Sequence, residues 1–567
     1  MAAVGVRMPL ATLAAVAVCG CAAGTGLPAA PLTVADTPTS ARTPSGEYIS
    51  WREHRIDDKD LGGVAIRGGD GLQLADIDRD GFPDIVSVHE DSNHLRIAFG
   101  SADPDRWVLA TVASGDIVSA IEDVAVGDLD GDGWPDLVSA NEEAHLAVFR
   151  NPGSPEGARA GEWRGFVPPV TQGRGSWLRV FVADIDGDGR PDVTAANKGA
   201  SDIVDPGAPR EDRTTSLFTL RGDPMEAGAW REQVLFRKDV PNTAMPVDID
   251  GDGDLDVLAA GRLAQQSTIL ENRGTDAGGS VAVTAHPIVI DDSGLAGCTV
   301  STSAFQSAFR DLSGDGRLDL IVGAIETCGD PRAPGGLPGL GWLEQPETLD
   351  TPWTYHRIGD ILPDMVIAVE LADLDGDGDL DAITGGYSGL NIVKGGYSGA
   401  TRETDHPAVT ASSTVGRIAW FENPGAADGA WQRHDISRRV RGMFDQFIAR
   451  DMDGDGDTDL VGTRGNSGRL DGVFWLEQVR SAQPRAAFAP ARAQGSRLAG
   501  PLPRSEHACC AQQALGPLRK LSRGLPMTHA HPLAGRVCLI TGASSGIGAH
   551  LARRMAQAGA QVVLGAR

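Results

Sequence analysis

Residues 123–140 read DVAVGDLDGDGWPDLVSA. Two apolar runs of strand length bracket a nine-residue segment. Asp128, Asp130, Asp132 and Asp136 stand at its first, third, fifth and ninth places. Gly133, at the sixth place, admits the sharp turn such a spacing needs. The flanking runs are four or five residues long, right for a strand and too short for a helix. The unit is strand, acidic loop, strand.

The unit recurs seven times. The other copies carry Asp76, Asp78, Asp80 and Asp84; Asp184, Asp186, Asp188 and Asp192; Asp248, Asp250, Asp252 and Asp256; Asp311, Ser313, Asp315 and Asp319; Asp373, Asp375, Asp377 and Asp381; and Asp451, Asp453, Asp455 and Asp459. Successive copies begin 52 to 78 residues apart. That spacing suits one four-stranded propeller blade with its loops. A third strand follows each loop and often ends in an aromatic residue, then Glu-Asn-Pro, as at 420–424 (WFENP). A fourth opens with Trp and carries His and Ile, as at 353–358 (WTYHRI) and 431–436 (WQRHDI). The seventh copy lacks this fourth strand, and one unclaimed copy, WREHRI at 51–56, precedes the first loop. The expected fold is therefore all-β: a seven-bladed β-propeller over residues 47–480, closed by residues 51–56 acting as the fourth strand of blade seven.

Four carboxylates within nine residues repel one another unless a cation sits among them. All-oxygen donors favour calcium over zinc, and a flexible, ligand-rich loop favours it over magnesium. Side-chain oxygens at places one, three, five and nine, with the carbonyl at place seven, are the expected ligands. An EF-hand does not fit, since strands flank the loop and no Glu recurs at place twelve. The fifth loop, with Ser313 at place three, is expected to be the weakest.

This repeat resembles the FG-GAP/VCBS repeat shared by the propeller of integrin α subunits and many secreted bacterial proteins. The resemblance covers about residues 47–480. It implies that each Asp loop joins strands one and two of a blade and holds a mainly structural calcium. In that topology Cys298, entering blade five, and Cys328, leaving its second strand, lie on one face a strand apart, close enough for a disulfide. The opposite face would meet an extracellular protein or glycan. It receives His89, Glu90, His94, Asn141, Glu142, Asn197, Lys198, Arg262, Glu326, Tyr387, Tyr397, Arg464 and Asn466. Gln73, Asp123, Arg179, Gln306, Asp364 and Asp445 begin the innermost strands and point toward the axis. His89, His94, Tyr387 and Arg179 are residue types a polysaccharide-acting lyase or hydrolase would use, but they form no recognisable motif. Binding or adhesion is the default reading, and such an enzyme the alternative. The tripeptide Arg221-Gly222-Asp223 falls at a third-strand end and is read as coincidental rather than adhesive.

The formal charge of −27 argues against nucleic acid. Arg7, the apolar run Leu10 to Val18 and the small residues after it read as an export signal over residues 1–23. Cys21 is a candidate for lipidation, with cleavage near Ala23 as the alternative. The expected location is secreted, periplasmic or cell-surface, as a monomer, with membrane contact only through such an anchor. Residues 24–46 read as a tether and 481–526 as a basic, disordered linker. Residues 527–567 resemble the first βαβ of a short-chain dehydrogenase, with TGASSGIG at 541–548. The resemblance implies that Thr541, Gly542, Ser544, Gly546, Ile547 and Gly548 approach a dinucleotide pyrophosphate. It covers only about 40 residues and lacks the family's Tyr-x-x-x-Lys pair, so an incomplete fragment without activity is expected. NAD(P) would bind only if that module were complete.

Overall fold

The computed structural model describes residues 38–199, 213–237, 240–261, 266–295, 297–328, 337–361, 364–387, 418–426, 429–437, 443–465, 471–489, 537–541 and 561–565. Seven sheets, antiparallel but for a short parallel edge strand in blades five and seven, form a β-propeller. Blade one shows the plan. Gly69–Ala75, Asp84–His89, His94–Phe99 and Val108–Ser114 pair in chain order from the axis outward. The innermost strands of blades two to seven are Ile121–Gly127, Ser176–Ala183, Pro241–Val247, Cys298–Arg310, Glu370–Ala372 and Phe447–Arg450. Each packs against the next, and that of blade seven meets that of blade one.

The ring closes as the repeat count requires. Tyr48–Asp58 pairs antiparallel with Gly472–Ser481 as the fourth strand of blade seven. It buries Ile49, Trp51 and Ile56. Burying side chains of this size contributes about 1.5–3 kcal/mol each. The hydrophobic core is not central. It is divided into seven clusters, each shared by two neighbouring blades. Two of these clusters take residues from the closing strand.

The repeated Trp and His now have a cause. Pairing sets His54 opposite Trp475, His356 opposite Trp342 and His434 opposite Trp420. The rings of each pair lie face to face or tilted, 4.1, 4.1 and 4.5 Å apart. Each His Nε2 then meets the Glu two residues past the Trp: Glu477 at 2.7 Å, Glu344 at 2.8 Å and Glu422 at 2.8 Å. The motifs of strands three and four are two halves of one cross-strand contact.

Two boundaries differ from expectation. The tether does not reach residue 46: Ala41 and Thr43 are buried, and Pro38 bridges Ala486. The basic linker does not begin at 481, because Phe488–Ala489 adds a parallel strand to Tyr48–Asp58 and Phe488 enters the core. The propeller therefore extends over residues 38–489. The reason is physical: blade seven needs cover for its outer edge, and short segments from both flanks supply it. In blade four, the fourth strand ends at Pro287, and Ile290–Asp291 joins blade five instead.

Cys298 and Cys328 face each other across the first two strands of blade five and form a disulfide. At the other end of the chain, Val537–Thr541 pairs in parallel with Gln561–Gly565. Gly542, Ser544, Gly546, Ile547 and Gly548 lie outside the described residues, as do the export signal and Cys21. No helix among the described residues is long and apolar enough to cross a membrane.

Deleting residues 48–58 is expected to lower the melting temperature by about 10 °C or more, whereas ending the chain after Ala489 should move it by less than about 2 °C. Thermal melts of the two truncations against the full chain, all in calcium, check this. Equal losses would mean that the closing strand does not carry the ring.

Candidate functional site

Every Asp loop joins the first two strands of its blade, so all seven share one face. Their local order comes from carboxylates capping backbone N–H groups. In blade one, Asp80 and Gly81 donate N–H to Asp76, each at 3.0 Å, and Phe82 donates to Asp80 at 2.9 Å. The sixth-place glycines need the left-handed region, as Gly81 shows with φ +91°.

The ninth-place Asp has a different task. Asp84 accepts from Ile77 N at 2.8 Å, from Asp78 N at 3.3 Å and from Gly100 N, at the end of strand three, at 2.8 Å. Asp84, Asp136, Asp192, Asp256, Asp319, Asp381 and Asp459 are all buried. Burial pushes Asp84, Asp136 and Asp192 up to about 7, and Asp381 and Asp459 to about 8. A second tie crosses between blades. Asn151 donates N–H to Asp136 at 2.8 Å, and its side-chain amide reaches Ile77 O in the loop of blade one at 3.0 Å. Asn272, Gln345 and Gln478 repeat this toward Ile185, Ile249 and Leu374. This is the work of the Asn in the Glu-Asn-Pro motif. Blade three has Leu220 in that place, and Asp192 Oδ1 is left without a hydrogen bond.

Calcium fits these loops on donor chemistry. In blades one to four, carboxylate oxygens from places one, three and nine come within 4.8 Å of one another: Asp76, Asp78 and Asp84; Asp128, Asp130 and Asp136; Asp184, Asp186 and Asp192; Asp248, Asp250 and Asp256. All donors are hard oxygens. Arg221 and Asp223 are both spent on this face. Arg221 pairs with Asp186 and Asp188, and Asp223 with Arg150.

At the start of the innermost strands a second cluster forms near the axis. Arg179 Nε lies 3.3 Å from Asp123 Oδ2, which also accepts from Val180 N. The guanidinium sits over Phe181 and Phe305, 5.5 and 5.8 Å from the ring centres. Gln306 Nε2 donates to Asp445 Oδ2 at 3.1 Å. Asp123, Arg179, Gln306 and Asp445 are all buried. Arg179 Nη1 and Asp123 Oδ1 have no hydrogen-bond partner. Burial, opposed by Arg179 and reinforced by Glu122, pushes Asp445 up to about 7. Asp70, buried beside Glu90, Glu122 and Asp445, is raised well above the usual carboxylate range.

Asp123, Arg179, Gln306 and Asp445 thus meet, as strand position requires. Asp70 and Glu122 join them without any sequence signal of their own, since only the closed ring brings blades one, two and seven together. Other candidates are structural. Arg464 is buried and pairs with Glu53 of the closing strand at 2.7 Å. Glu326 holds Tyr355 and Arg357. Asn141 ties Ser139 to the His145 carbonyl. Burial drives His89 down to about 3, so it stays neutral at physiological pH and makes a poor general base. Arg262, Tyr397 and Asn466 lie outside the described residues.

Residues 76–139, 128–195 and 248–322 match the family model of the FG-GAP-like repeat. No curated protein matches the chain. Among solved structures, YCF48 from Cyanidioschyzon merolae is similar at 11% identity and a TM-score of 0.39, over 75% of this chain and 98% of that one. The V. cholerae biofilm matrix protein Bap1 is similar at 11% identity and a TM-score of 0.36, over 77% and 92%.

Asp136→Ala is expected to cost about 2–4 kcal/mol, because it strands buried N–H groups, while Asp132→Ala costs less than about 1 kcal/mol. Denaturant melts of both variants in EDTA check the order without a metal contribution. Asp445 gives a pH signature. A carboxyl whose folded pKa is raised contributes stability at low pH that is lost as pH rises through the folded value. Asp445→Asn keeps the acceptor for Gln306 and removes that loss. The variant should melt above the unsubstituted protein at pH 8, by less at pH 5.5, and level with it only near the unfolded carboxylate pKa of about 3.9.

Proposed function

We propose that this chain is an exported, calcium-stabilised propeller that binds an extracellular protein or glycan at the axial end opposite its Asp loops. One observation carries the reading: Arg179 Nη1 and Asp123 Oδ1, a donor and an acceptor, are both buried and both without a hydrogen bond at the axis. A buried polar group left unpaired costs about 1–3 kcal/mol, and a ligand offering the complementary acceptor and donor recovers that cost. Calcium has a supporting role, stiffening the opposite face through hard oxygen donors. The Cys298–Cys328 disulfide supports an oxidising destination. Lipidation at Cys21 or cleavage near Ala23 would place the protein at the surface or release it. The paired strands 537–541 and 561–565 favour reading residues 527–567 as a dinucleotide-binding fragment, to which no activity is assigned here.

The test has two arms. EDTA should lower the melting temperature of the full chain, with recovery in millimolar calcium; a melt indifferent to both would overturn the calcium part. A glycan and protein array probed in calcium should show retention that Arg179→Met reduces at least about tenfold, the loss expected from one charge-assisted contact. Retention without products supports a binding module, and turnover of a retained glycan would make it an enzyme instead.

A further inference from the structure

The seven loops share a spacing but fall into classes. In blades one to three a protein guanidinium already sits on the third-place carboxylate. Arg159 puts Nε 2.5 Å from Asp78 Oδ2 and Nη2 2.6 Å from Asp80 Oδ2. Arg150 Nε lies 2.9 Å from Asp130 Oδ2. Arg221 pairs with Asp186 and, at 2.8 Å, with Asp188. Arg159 belongs to blade two and reaches across to blade one, so this contact also joins blades.

Blades four, six and seven are built the other way. Their seventh place is Asp254, Asp379 and Asp457, where the other loops carry Phe82, Trp134, Arg190 and Arg317. Their third strands end in Glu271, Glu422 and Glu477, whose negative charge bears on Asp250, Asp375 and Asp453. Each of these loops therefore has five aspartates and a nearby glutamate, against four aspartates and an arginine in blades one to three. Arg273 and Arg52 pair with Glu271 and Glu477, and Arg480 Nε lies 3.5 Å from the seventh-place Asp457 Oδ2, but among the described residues no arginine pairs with the third-place Asp250, Asp375 or Asp453. Asp457 is buried, and its Oδ1 has no hydrogen-bond partner. Blade five stands apart. Ser313 replaces the third carboxylate, and Arg317 pairs with Asp315.

We infer that calcium binds tightly only to the loops at 248–256, 373–381 and 451–459, and that Arg159, Arg150 and Arg221 act as the resident cations of blades one to three. This rests on the calcium reading above and divides its sites. Calcium affinity in oxygen-donor loops rises with the number of charged ligands. A guanidinium bonded to the third-place carboxylate removes one ligand and repels the incoming ion. Blade five, short of a carboxylate, falls with the weak set. The strong sites lie in blades four, six and seven, so calcium secures the part of the ring that includes its closure, and arginine secures the part that follows.

Calcium titration of the full chain by calorimetry, with terbium luminescence as a second probe, tests this. Three sites per chain should be at least about tenfold tighter than any others. Arg221→Gln should add one tight site, and Glu422→Gln should weaken one. In EDTA, Arg159→Gln and Arg221→Gln should melt lower than the unsubstituted protein, and calcium should restore them, which shows that they fold. Seven equivalent sites, or an unchanged count in Arg221→Gln, would overturn the division while leaving the calcium reading intact. No calcium binding at any site would overturn both.

Discussion

In six of the seven Asp loops the ninth-place carboxylate is held from two directions: the N–H groups of its own loop and the last N–H of strand three converge on it, Asp192 of blade three being the exception. The residue that supplies that last N–H is Asn or Gln in most blades, and its amide crosses to the loop of the preceding blade. One buried Asp therefore fixes the turn, the blade's third strand and the contact between blades. Unpaired, such a group would be costly to bury; paired with N–H donors, it organises everything near it. The seven apolar clusters depend on this register, because each draws side chains from both neighbouring blades.

Ring closure adds the one constraint the repeat cannot supply for itself. Tyr48–Asp58 brings Glu53 to the buried Arg464 of blade seven, and Asp57 to the buried Arg96 of blade one, at 2.7 and 2.8 Å. Breaking either pair would leave a buried charge without its partner, which is far more costly than losing an exposed one. The closing strand is thus specified by charge as well as by its apolar face, and cannot be replaced by a slipped register.

The architecture could be read from the sequence because it is written seven times. Loop spacing, the strand pattern around it and the stray Trp51 copy each point to the same ring. The Trp, His and Glu of strands three and four were visible as a pattern, but their meaning needed the register that stacks His54 on Trp475 and sets it against Glu477. The domain ends were not legible: 38–46 and 481–489 have no strand pattern of their own and gain order only by covering blade seven. Asp70 and Glu122 were equally silent, because their meeting with Asp445 spans most of the chain. The arginines on the loops of blades one to three escaped for a similar reason. Arg150 and Arg221 stand at strand ends and Arg159 in a connection, where a basic residue signals nothing until the fold shows what it faces.

The two ends of the propeller hold buried charge on different terms. On the Asp-loop face, each ninth-place carboxylate accepts at least two backbone hydrogen bonds, so its burial is explained by the turn it builds. At the axis, Asp123 and Arg179 are ion-paired yet keep an acceptor and a donor unused, and Asp445 is held up near neutrality by its own burial. Folding alone gains little from such an arrangement, since apolar side chains of the same volume would pack the inner strands at lower cost. A buried ion pair that keeps both a donor and an acceptor open at the ends of the inner strands is what a site for something outside the chain looks like in physical terms.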